Sequence, residues 1–307
     1  MPTNEPRPTK AVRRDEARAK AAAMRAEQER KAKRNRMLAI GGLVLAVLAL
    51  GAVVFFIVNQ SRERAEAYGT VTYGRGEEGL VAPALADVEA PATANDEGAI
   101  PVSTAGVGEQ GDDDTVLSIY FDFMCPVCGQ FEQTNGEDVQ ALTETDGVTV
   151  AFHPLAFLDH FSQGTFYSTR AANAYAVVAD ESPEHLIDFM SALYAEDTQP
   201  AEGSSGLSDA EIADIAEGVG VPADVTGKFT STVTGTYEVE ADGETTEKDG
   251  EWRTFAPWVK AAYASASAQF PDLGTPYILI DGVKWDGNWQ QPGALRAAVE
   301  QAAAAKG

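Results

Sequence analysis

The two cysteines of this chain stand three positions apart and are the residues best suited to chemistry. The segment Cys125-Pro126-Val127-Cys128 contains both cysteines of the 307 residues. A disulfide framework needs more cysteines at wider spacings, and a chain of this length can bury a substantial core without one. A bridge over so short a loop would also stabilise the fold little. The pattern therefore favours a reactive pair over a structural one.

Half of a zinc site is the main alternative use of a CxxC segment. Structural zinc is usually bound by four ligands, and the sequence contains no second CxxC and no HxxxH. The three histidines, His153, His160 and His185, are scattered. Redox chemistry of the cysteines is favoured, and we expect no metal and no cofactor besides the redox-active disulfide.

The residues before and after the cysteines predict how each thiol behaves. Residues 115–123 form an almost continuous apolar, β-branched run, which is typical of a buried central strand. Pro126 suits the first position of a helix, where its missing N–H costs nothing. The helix would then begin at Cys125, and its free N–H groups would lower the thiol pKa from ~8.5 to roughly 3.5–7.5. Cys125 is the predicted exposed nucleophile, and Cys128, one turn further, is the predicted shielded resolving thiol.

Thiol-disulfide exchange follows from these two roles. A substrate thiolate attacks the sulfur of Cys125 in the oxidised pair and forms a mixed disulfide. A second substrate thiol then displaces Cys125, which is a good leaving group because its pKa is low. The substrate leaves oxidised and the CxxC pair is reduced.

The segments from residue 99 onward predict an α/β fold with a helical insertion. A second strand is expected at 148–152, and Pro101 favours an edge strand within 99–103. The segment 235–250 is polar and acidic and is expected to be a mobile loop. Further helices are predicted at 165–179, 183–194, 208–217, 222–232, 252–269 and 292–305. Asp281-Gly282 predicts a hairpin between strands 277–280 and 283–285. The expected order is β-α-β, an all-helical insertion, and β-β-α.

Three features of the chain resemble the thioredoxin-fold disulfide oxidoreductases of DsbA type, especially the membrane-anchored forms of actinobacteria. They are the segment 121–128 (FDFMCPVC), the helical insert, and the segment 274–277 (GTPY). The resemblance covers residues 99–307, with the insert at about 162–235. It implies a cis peptide bond before Pro276 and backbone hydrogen bonds from Thr275 to an extended substrate. Many strongly oxidising members carry a His where this chain has Val127, which argues for a less oxidising couple.

Asp122 is an acidic residue inside an otherwise apolar run. Burial of a carboxylate is costly without partners and should raise its pKa. Two interpretations stay open at this point. One is a proton acceptor or electrostatic tuner near the cysteines, and the other is a capped aspartate at the strand end.

The charge distribution predicts a membrane anchor with two differently charged sides. Residues 1–36 carry 12 Lys/Arg and 5 Asp/Glu, whereas residues 59–307 carry 11 and 42. Between them, residues 37–58 carry no charge and would span about 33 Å as a helix. The positive-inside tendency places 1–36 in the cytoplasm and the rest outside, with 59–98 as an extracytoplasmic tether. A cleaved signal peptide is the alternative, although the apolar run exceeds the usual ~7–15 residues.

The favoured function is an anchored dithiol oxidase for exported proteins with thiols. The resemblance implies re-oxidation by a quinone-linked membrane partner of DsbB or vitamin-K-epoxide-reductase type. A reductase or isomerase of the same fold and a non-enzymatic anchored substrate-binding protein are the alternatives. The basic leader next to a membrane span is expected to contact the lipid bilayer and no nucleic acid.

Overall fold

The protein is described here from a computed structural model that covers residues 10–69 and 73–306. The chain divides into two units, Met1–Glu63 and Arg64–Gly307. The first nine residues of the predicted basic segment lie outside the described part, as do residues 70–72 of the predicted tether.

A single long helix dominates the first unit. Helix α1 covers Lys10–Tyr68, so the basic residues from Lys10 onward and the uncharged stretch 37–58 share one helix. Its apolar side chains are solvent-exposed, for example Leu43 at 66% and Phe55 at 73%. The part of the chain that the structure describes contains one helix long and apolar enough to cross a membrane, within Arg14–Phe56. It overlaps the predicted anchor, residues 37–58, over residues 37–56.

The second unit is built on a six-stranded sheet. The described residues of this unit form eight strands, which are β1 Ile100–Ser103, β2 Gly106–Val107, β3 Thr115–Phe121, β4 Val148–Pro154, β5 Thr232–Ala241, β6 Glu244–Arg253, β7 Tyr277–Ile280 and β8 Val283–Lys284. The sheet order is β2-β1-β4-β3-β7-β8, while β5 and β6 form a separate two-stranded ribbon. Central β3 pairs in parallel with β4 and antiparallel with β7. Six of its seven residues are buried, as expected for a strand covered on both faces.

Helices cover both faces of this sheet. They are α2 Pro126–Thr143, α3 Tyr167–Glu181, α4 Leu186–Leu193, α5 Asp209–Gly218, α6 Ala223–Thr226, α7 Ala256–Gln269 and α8 Ala294–Lys306. Ser208 caps α5 and forms the predicted capping box with Glu211. The order β-α-β, helical insert, β-β-α confirms the predicted fold class.

The strand predicted at the sheet edge lies one position inside it. β1 pairs with β4 on one side and with the two-residue β2 on the other. The carbonyl of Pro101 accepts a hydrogen bond from Gly108 N–H at 2.7 Å, on the side of β2. Because the N–H and C=O of one residue in a strand point to the same side, the missing N–H of Pro101 leaves the pairing with β4 intact.

The segment 235–250, predicted as a mobile loop, is instead most of a β-hairpin. β5 and β6 pair over their full lengths, and the turn residues Asp242 and Gly243 have φ values of 55° and 80°. Asp-Gly supports such a turn because both positions need positive φ. Alternate residues such as Tyr237 and Val239 are buried and the residues between them are exposed. The insertion is therefore not helical to residue 235, because its last helical turn ends at Thr230.

Much of the predicted tether packs on the folded unit. α1 continues to Tyr68, and a short 3₁₀ helix follows at Tyr73–Gly76. Val81 donates its N–H to the Glu238 carbonyl at 2.9 Å and Glu240 donates to the Gly79 carbonyl at 2.8 Å, so this segment extends the β5 edge. The tether prediction for this segment was wrong because it relied on the low number of apolar residues in the segment itself. Its order comes from pairing with the unpredicted hairpin.

Candidate active site

The helix α2 begins at Cys125, as the position of Pro126 predicted. Cys125 is extended, with φ −73° and ψ 115°, and Pro126 is the first helical residue. The N–H of Cys128 points to the Cys125 sulfur at 3.4 Å, so the thiol caps the helix. The N–H of Cys125 donates to the Asp122 carbonyl at 2.9 Å and fixes the turn from strand to helix.

The two thiols have opposite acidities. Hydrogen bonding by the Cys128 side chain, together with the Thr275 side chain and the backbone N–H groups of Val127 and Cys128, lowers the pKa of Cys125 to about 6 against the opposing effect of burial. Burial raises the pKa of Cys128 well above its ordinary value. At neutral pH the pair therefore consists of a thiolate at Cys125 and a protonated thiol at Cys128.

Cys125 is less exposed than the sequence suggested. Its relative exposure is 5%, against 2% for Cys128. The order of accessibility agrees with the predicted roles, but the difference is small because Thr275 covers the Cys125 sulfur. The Thr275 carbonyl oxygen lies 3.3 Å from that sulfur and accepts its S–H. The peptide bond between Thr275 and Pro276 is cis.

A groove of about 380 Å³ runs beside the cysteines between the start of α2 and the β7–β8 hairpin. Val127, the residue between the cysteines, is 42% exposed and forms one side. The other lining residues are Asp272, Gly274, Thr275, Pro276, Tyr277, Ile278, Lys284, Trp285, Asp286, Gly287 and Trp289. An extended chain that reaches the Cys125 sulfur would lie in this groove.

Asp122 lies directly after β3 and is completely buried. Its carboxylate accepts hydrogen bonds from Met124 N–H at 2.8 Å, Leu158 N–H at 2.8 Å and the Ser168 hydroxyl at 2.7 Å. Burial raises its pKa to about 7 although all three donors oppose the shift. The carboxylate thus ties the turn before Cys125 to two other segments. These contacts fit the capped strand-end interpretation, and the role as a proton acceptor or electrostatic tuner stays a prediction.

Gln199 is a site residue that sequence reasoning missed. Its side-chain N–H₂ donates to the Cys125 carbonyl at 2.8 Å. The Gln199 amide also lies over Gly129, where a Cβ would come within 2.0 Å of its oxygen. Because Gly129 has no side chain, the Gln199 amide from the loop after α4 can lie against the start of α2. No local sequence pattern identifies such a contact.

A buried acid lies on the inner side of the resolving cysteine. Glu132 is one turn beyond Cys128 on α2, and both line a small cavity with Tyr194. Burial raises the pKa of Glu132, and the Ser191 hydroxyl donates to it at 2.6 Å. The Tyr194 hydroxyl has no hydrogen-bond partner in the described structure. The cavity offers Cys128 a titratable neighbour that the sequence did not indicate.

His153 lies on the same β4 strand that flanks β3, away from solvent. Its ring stacks on Tyr120 with the centroids 3.9 Å apart, and burial lowers its pKa to about 3. It is therefore neutral at physiological pH. The described residues contain no group of three or more His, Cys, Asp or Glu side chains placed to hold a metal.

Comparison with known proteins places the fold in one family. A family model described as thioredoxin matches residues 106–301. Two solved structures from Mycobacterium tuberculosis superpose with a TM-score of 0.50 and 27% identity. They are the reduced disulfide bond oxidoreductase DsbG, covering 66% of this chain and 86% of that one, and oxidised DsbA, covering 67% and 92%. MdbA of Actinomyces oris, a thiol-disulfide oxidoreductase, covers 78% and 98% at TM-score 0.52 and 22% identity, which is a likeness of fold.

The curated relatives are longer proteins. The serine/threonine-protein kinase PknE of Mycobacterium tuberculosis is 32% identical over 188 residues, which is 59% of this chain. PknE of Mycobacterium bovis matches to the same extent. The match spans 29% of the length of these relatives. The likeness therefore concerns one part of each kinase.

Proposed function

The chain belongs to the thioredoxin family, and we propose that it is a membrane-anchored dithiol oxidase of DsbA type that forms disulfides in exported proteins. The observation that carries the proposal is the paired acidity of the two thiols. Cys125, at the start of α2, has a pKa of about 6, whereas the pKa of Cys128 is raised by burial. Two cysteines held for a structural purpose would not need this contrast.

The proposed cycle moves two electrons from the substrate to the CxxC pair. A substrate thiolate attacks the Cys125 sulfur of the Cys125–Cys128 disulfide, and Cys128 leaves and takes up a proton because its pKa is high. A second substrate thiolate then attacks the substrate sulfur of the mixed disulfide. Cys125 leaves as a thiolate, which the hydrogen bonds around it stabilise. The substrate gains a disulfide and the enzyme holds two reduced cysteines.

The low pKa of Cys125 supports the oxidising direction. A thiolate stabilised in the reduced enzyme favours that form and makes the oxidised enzyme the stronger oxidant. The pKa of Cys125 is low although Val127, and not a His, stands between the cysteines. The largest cause of the lowered pKa is the hydrogen bond with the Cys128 side chain. The likeness to DsbA and DsbG of Mycobacterium tuberculosis agrees with thiol-disulfide chemistry.

Location and partners complete the proposal. The apolar helix within Arg14–Phe56 anchors the protein in the cell membrane, and the acidic second unit faces outward, where disulfides persist. Substrates are exported proteins with thiols. A quinone-linked membrane protein of DsbB or vitamin-K-epoxide-reductase type returns the pair to the oxidised state.

The test is the reduction potential of the full-length protein in detergent, measured by equilibration with reduced and oxidised glutathione. An oxidase requires a potential well above about −270 mV, the value for thioredoxin. A potential near that value would contradict the oxidase and favour a reductase. Cys125→Ser is the control and should abolish equilibration with glutathione.

A trapping experiment tests the assigned nucleophile. Cys128→Ser should accumulate mixed disulfides with exported proteins through Cys125, because the resolving thiol is absent. These mixed disulfides should be missing from non-reducing gels of the double variant that carries both Cys128→Ser and Cys125→Ser. Failure of Cys128→Ser to capture any partner, when expressed and membrane-inserted, would contradict the role of Cys125. Full cellular function of Cys125→Ser would instead favour a non-enzymatic binding protein.

A further inference from the structure

The groove beside Cys125 has an aromatic wall that the chain holds in a fixed position. The Trp285 indole lies across Gly287, where a Cβ would come within 2.2 Å of the ring. The backbone N–H of Trp285 donates to the Ile278 carbonyl at 3.0 Å and fixes the backbone from which the ring projects. Trp289 packs edge-on against Phe131 of α2 with the ring centroids 5.9 Å apart. These contacts preorganise two indole rings along the groove.

The same wall carries more negative than positive charge. Lys284 pairs with Asp272 at 2.6 Å and its ammonium also lies 4.8 Å from the centre of the Tyr277 ring. Asp286, which follows Trp285, is exposed and lines the groove. In the described structure its carboxylate makes no hydrogen bond or direct ion pair, although its charge helps to raise the pKa of Lys284. Of the three charged side chains in the groove, two are acidic and only Lys284 is basic, so the groove has one excess negative charge.

An arginine side chain matches the chemistry of this wall, which combines an indole ring with a carboxylate. A guanidinium can stack on an indole face and at the same time donate hydrogen bonds to a carboxylate. A lysine ammonium satisfies the carboxylate but stacks less well on the ring. A glutamate would be repelled by Asp286, and the strongly acidic exported part adds to this repulsion.

We propose that this groove selects substrate segments that carry an arginine beside the reacting cysteine. The inference rests on the proposed function and names the substrate class of the same site. The cysteine of the segment meets the Cys125 sulfur next to Thr275, and the neighbouring arginine lies on Trp285 and Asp286. The selectivity is electrostatic in part, so it decreases as the salt concentration rises.

The experiment compares three reduced peptides that differ at one position next to a single cysteine, with Arg, Lys or Glu. Each reacts with the oxidised full-length protein in detergent, and the second-order rate constant is measured. A flanking charge also changes the intrinsic reactivity of the peptide thiol. Each rate constant is therefore divided by the rate constant of the same peptide with a small neutral disulfide.

We expect the normalised rate for the Arg peptide to exceed that for the Glu peptide about two- to fivefold, the range of an exposed ion pair, with Lys between them. Asp286→Asn should remove most of this ratio, and Asp286→Lys should invert it. Asp113→Asn is the matched control. It removes an exposed carboxylate from the loop before β3, outside the groove, and should leave the ratio unchanged.

The outcomes separate the inference from the proposed function. Equal normalised rates for the Arg and Glu peptides would overturn the inference while leaving the redox activity in place. A ratio that survives both Asp286→Asn and Asp286→Lys would overturn it as well. If no peptide reacts faster with the wild type than with Cys125→Ser, the proposed function itself fails.

Discussion

The Thr275 carbonyl oxygen lies 3.3 Å from the Cys125 sulfur, although the two residues are 150 positions apart. In the protonated state the thiol donates to this carbonyl. When Cys125 ionises the donor is lost, and the carbonyl becomes free to accept an N–H from another chain. The Thr275 carbonyl is therefore free to bind a substrate N–H when Cys125 is in its reactive thiolate form.

The acidity of Cys125 should depend chiefly on Cys128. We expect the rate of alkylation of Cys125 by iodoacetamide to rise through about pH 6 and then level off, because the thiolate is the reacting form. Cys128→Ala should raise the pKa of Cys125, since the Cys128 side chain is its largest stabilising partner. Cys128→Ser keeps a hydroxyl donor and should raise the pKa less. Equal pKa values in the two variants would contradict this assignment.

Gln199 should act on Cys125 through the backbone. Gln199→Ala removes the 2.8 Å hydrogen bond to the Cys125 carbonyl and should lower the free energy of unfolding of the reduced protein by about 1 kcal/mol. Gln199→Glu removes the donor and also brings a negative charge to the helix start. We expect this variant, more than Gln199→Ala, to raise the pKa of Cys125 in the same alkylation assay. An unchanged pKa in Gln199→Glu would show that Gln199 has no electrostatic effect on the thiol.

Local patterns in the sequence predicted the elements that carry the two cysteines. Pro126 after an apolar run indicated a helix that starts at Cys125, and the structure has it there. Asp281-Gly282 indicated the last hairpin, and both residues have positive φ. Asp242-Gly243 is the same dipeptide between alternating residues, but the high acidic content of its flanks concealed the strands. The alternation of apolar and polar residues along β5 indicates the strand better than its acidic content does, because Tyr237 and Val239 form its buried side.

Contacts between distant segments could not be predicted in the same way. Gln199 and Glu132 are ordinary polar residues in sequence, and nothing near them indicates a neighbouring cysteine. Their positions follow from how α4 and its loop pack against α2. Asp122 was recognised as unusual because it interrupts an apolar run. Its three hydrogen-bond donors come from 124, 158 and 168 and required the structure.

Asp122 should make the stability of the fold decrease between about pH 4 and pH 7. Its pKa is raised from 3.8 to about 7, so the native state keeps a proton that the unfolded chain has released. This stabilising contribution is complete below pH 3.8 and is lost as the pH rises through 7. Asp122→Asn cannot titrate and places an amide N–H₂ against one of the donors, at a cost of about 1–3 kcal/mol.

The difference in unfolding free energy between wild type and Asp122→Asn should therefore be largest at about pH 3.8 and below and smaller at pH 8. Urea unfolding at several pH values measures it. Asp113→Asn, at an exposed position, serves as the matched control and should show no such trend. A difference that grows with pH would mean that Asp122 is ionised throughout.

His153 should contribute to acid unfolding with the opposite sign. Burial lowers its pKa from 6.5 to about 3, so the unfolded chain binds a proton that the native state excludes. The contribution to stability is present above pH 6.5 and is lost as the pH falls towards 3. His153→Phe keeps an aromatic ring on Tyr120 and removes the titration.

We expect His153→Phe to lose less unfolding free energy than the wild type between pH 7 and pH 4. Exposed His160 supplies the control, and His160→Phe should follow the wild-type curve. If the unfolding free energy falls equally between pH 7 and pH 4 in His153→Phe and in the wild type, another buried group causes the loss of stability in acid.

The segment before β1 should stabilise the folded unit rather than act as a flexible tether. Tyr73 is buried and packs edge-on against Trp252 of β6, with the ring centroids 4.8 Å apart. Tyr73→Ala should lower the free energy of unfolding by about 3 kcal/mol, as for other buried aromatic truncations. Glu78→Ala, at an exposed position of the same segment, should change it by less than about 0.5 kcal/mol. Both variants should keep the wild-type alkylation rate of Cys125 in the folded state, because neither residue contacts it. Equal stability of the two variants would mean that residues 73–81 do not belong to the folded unit.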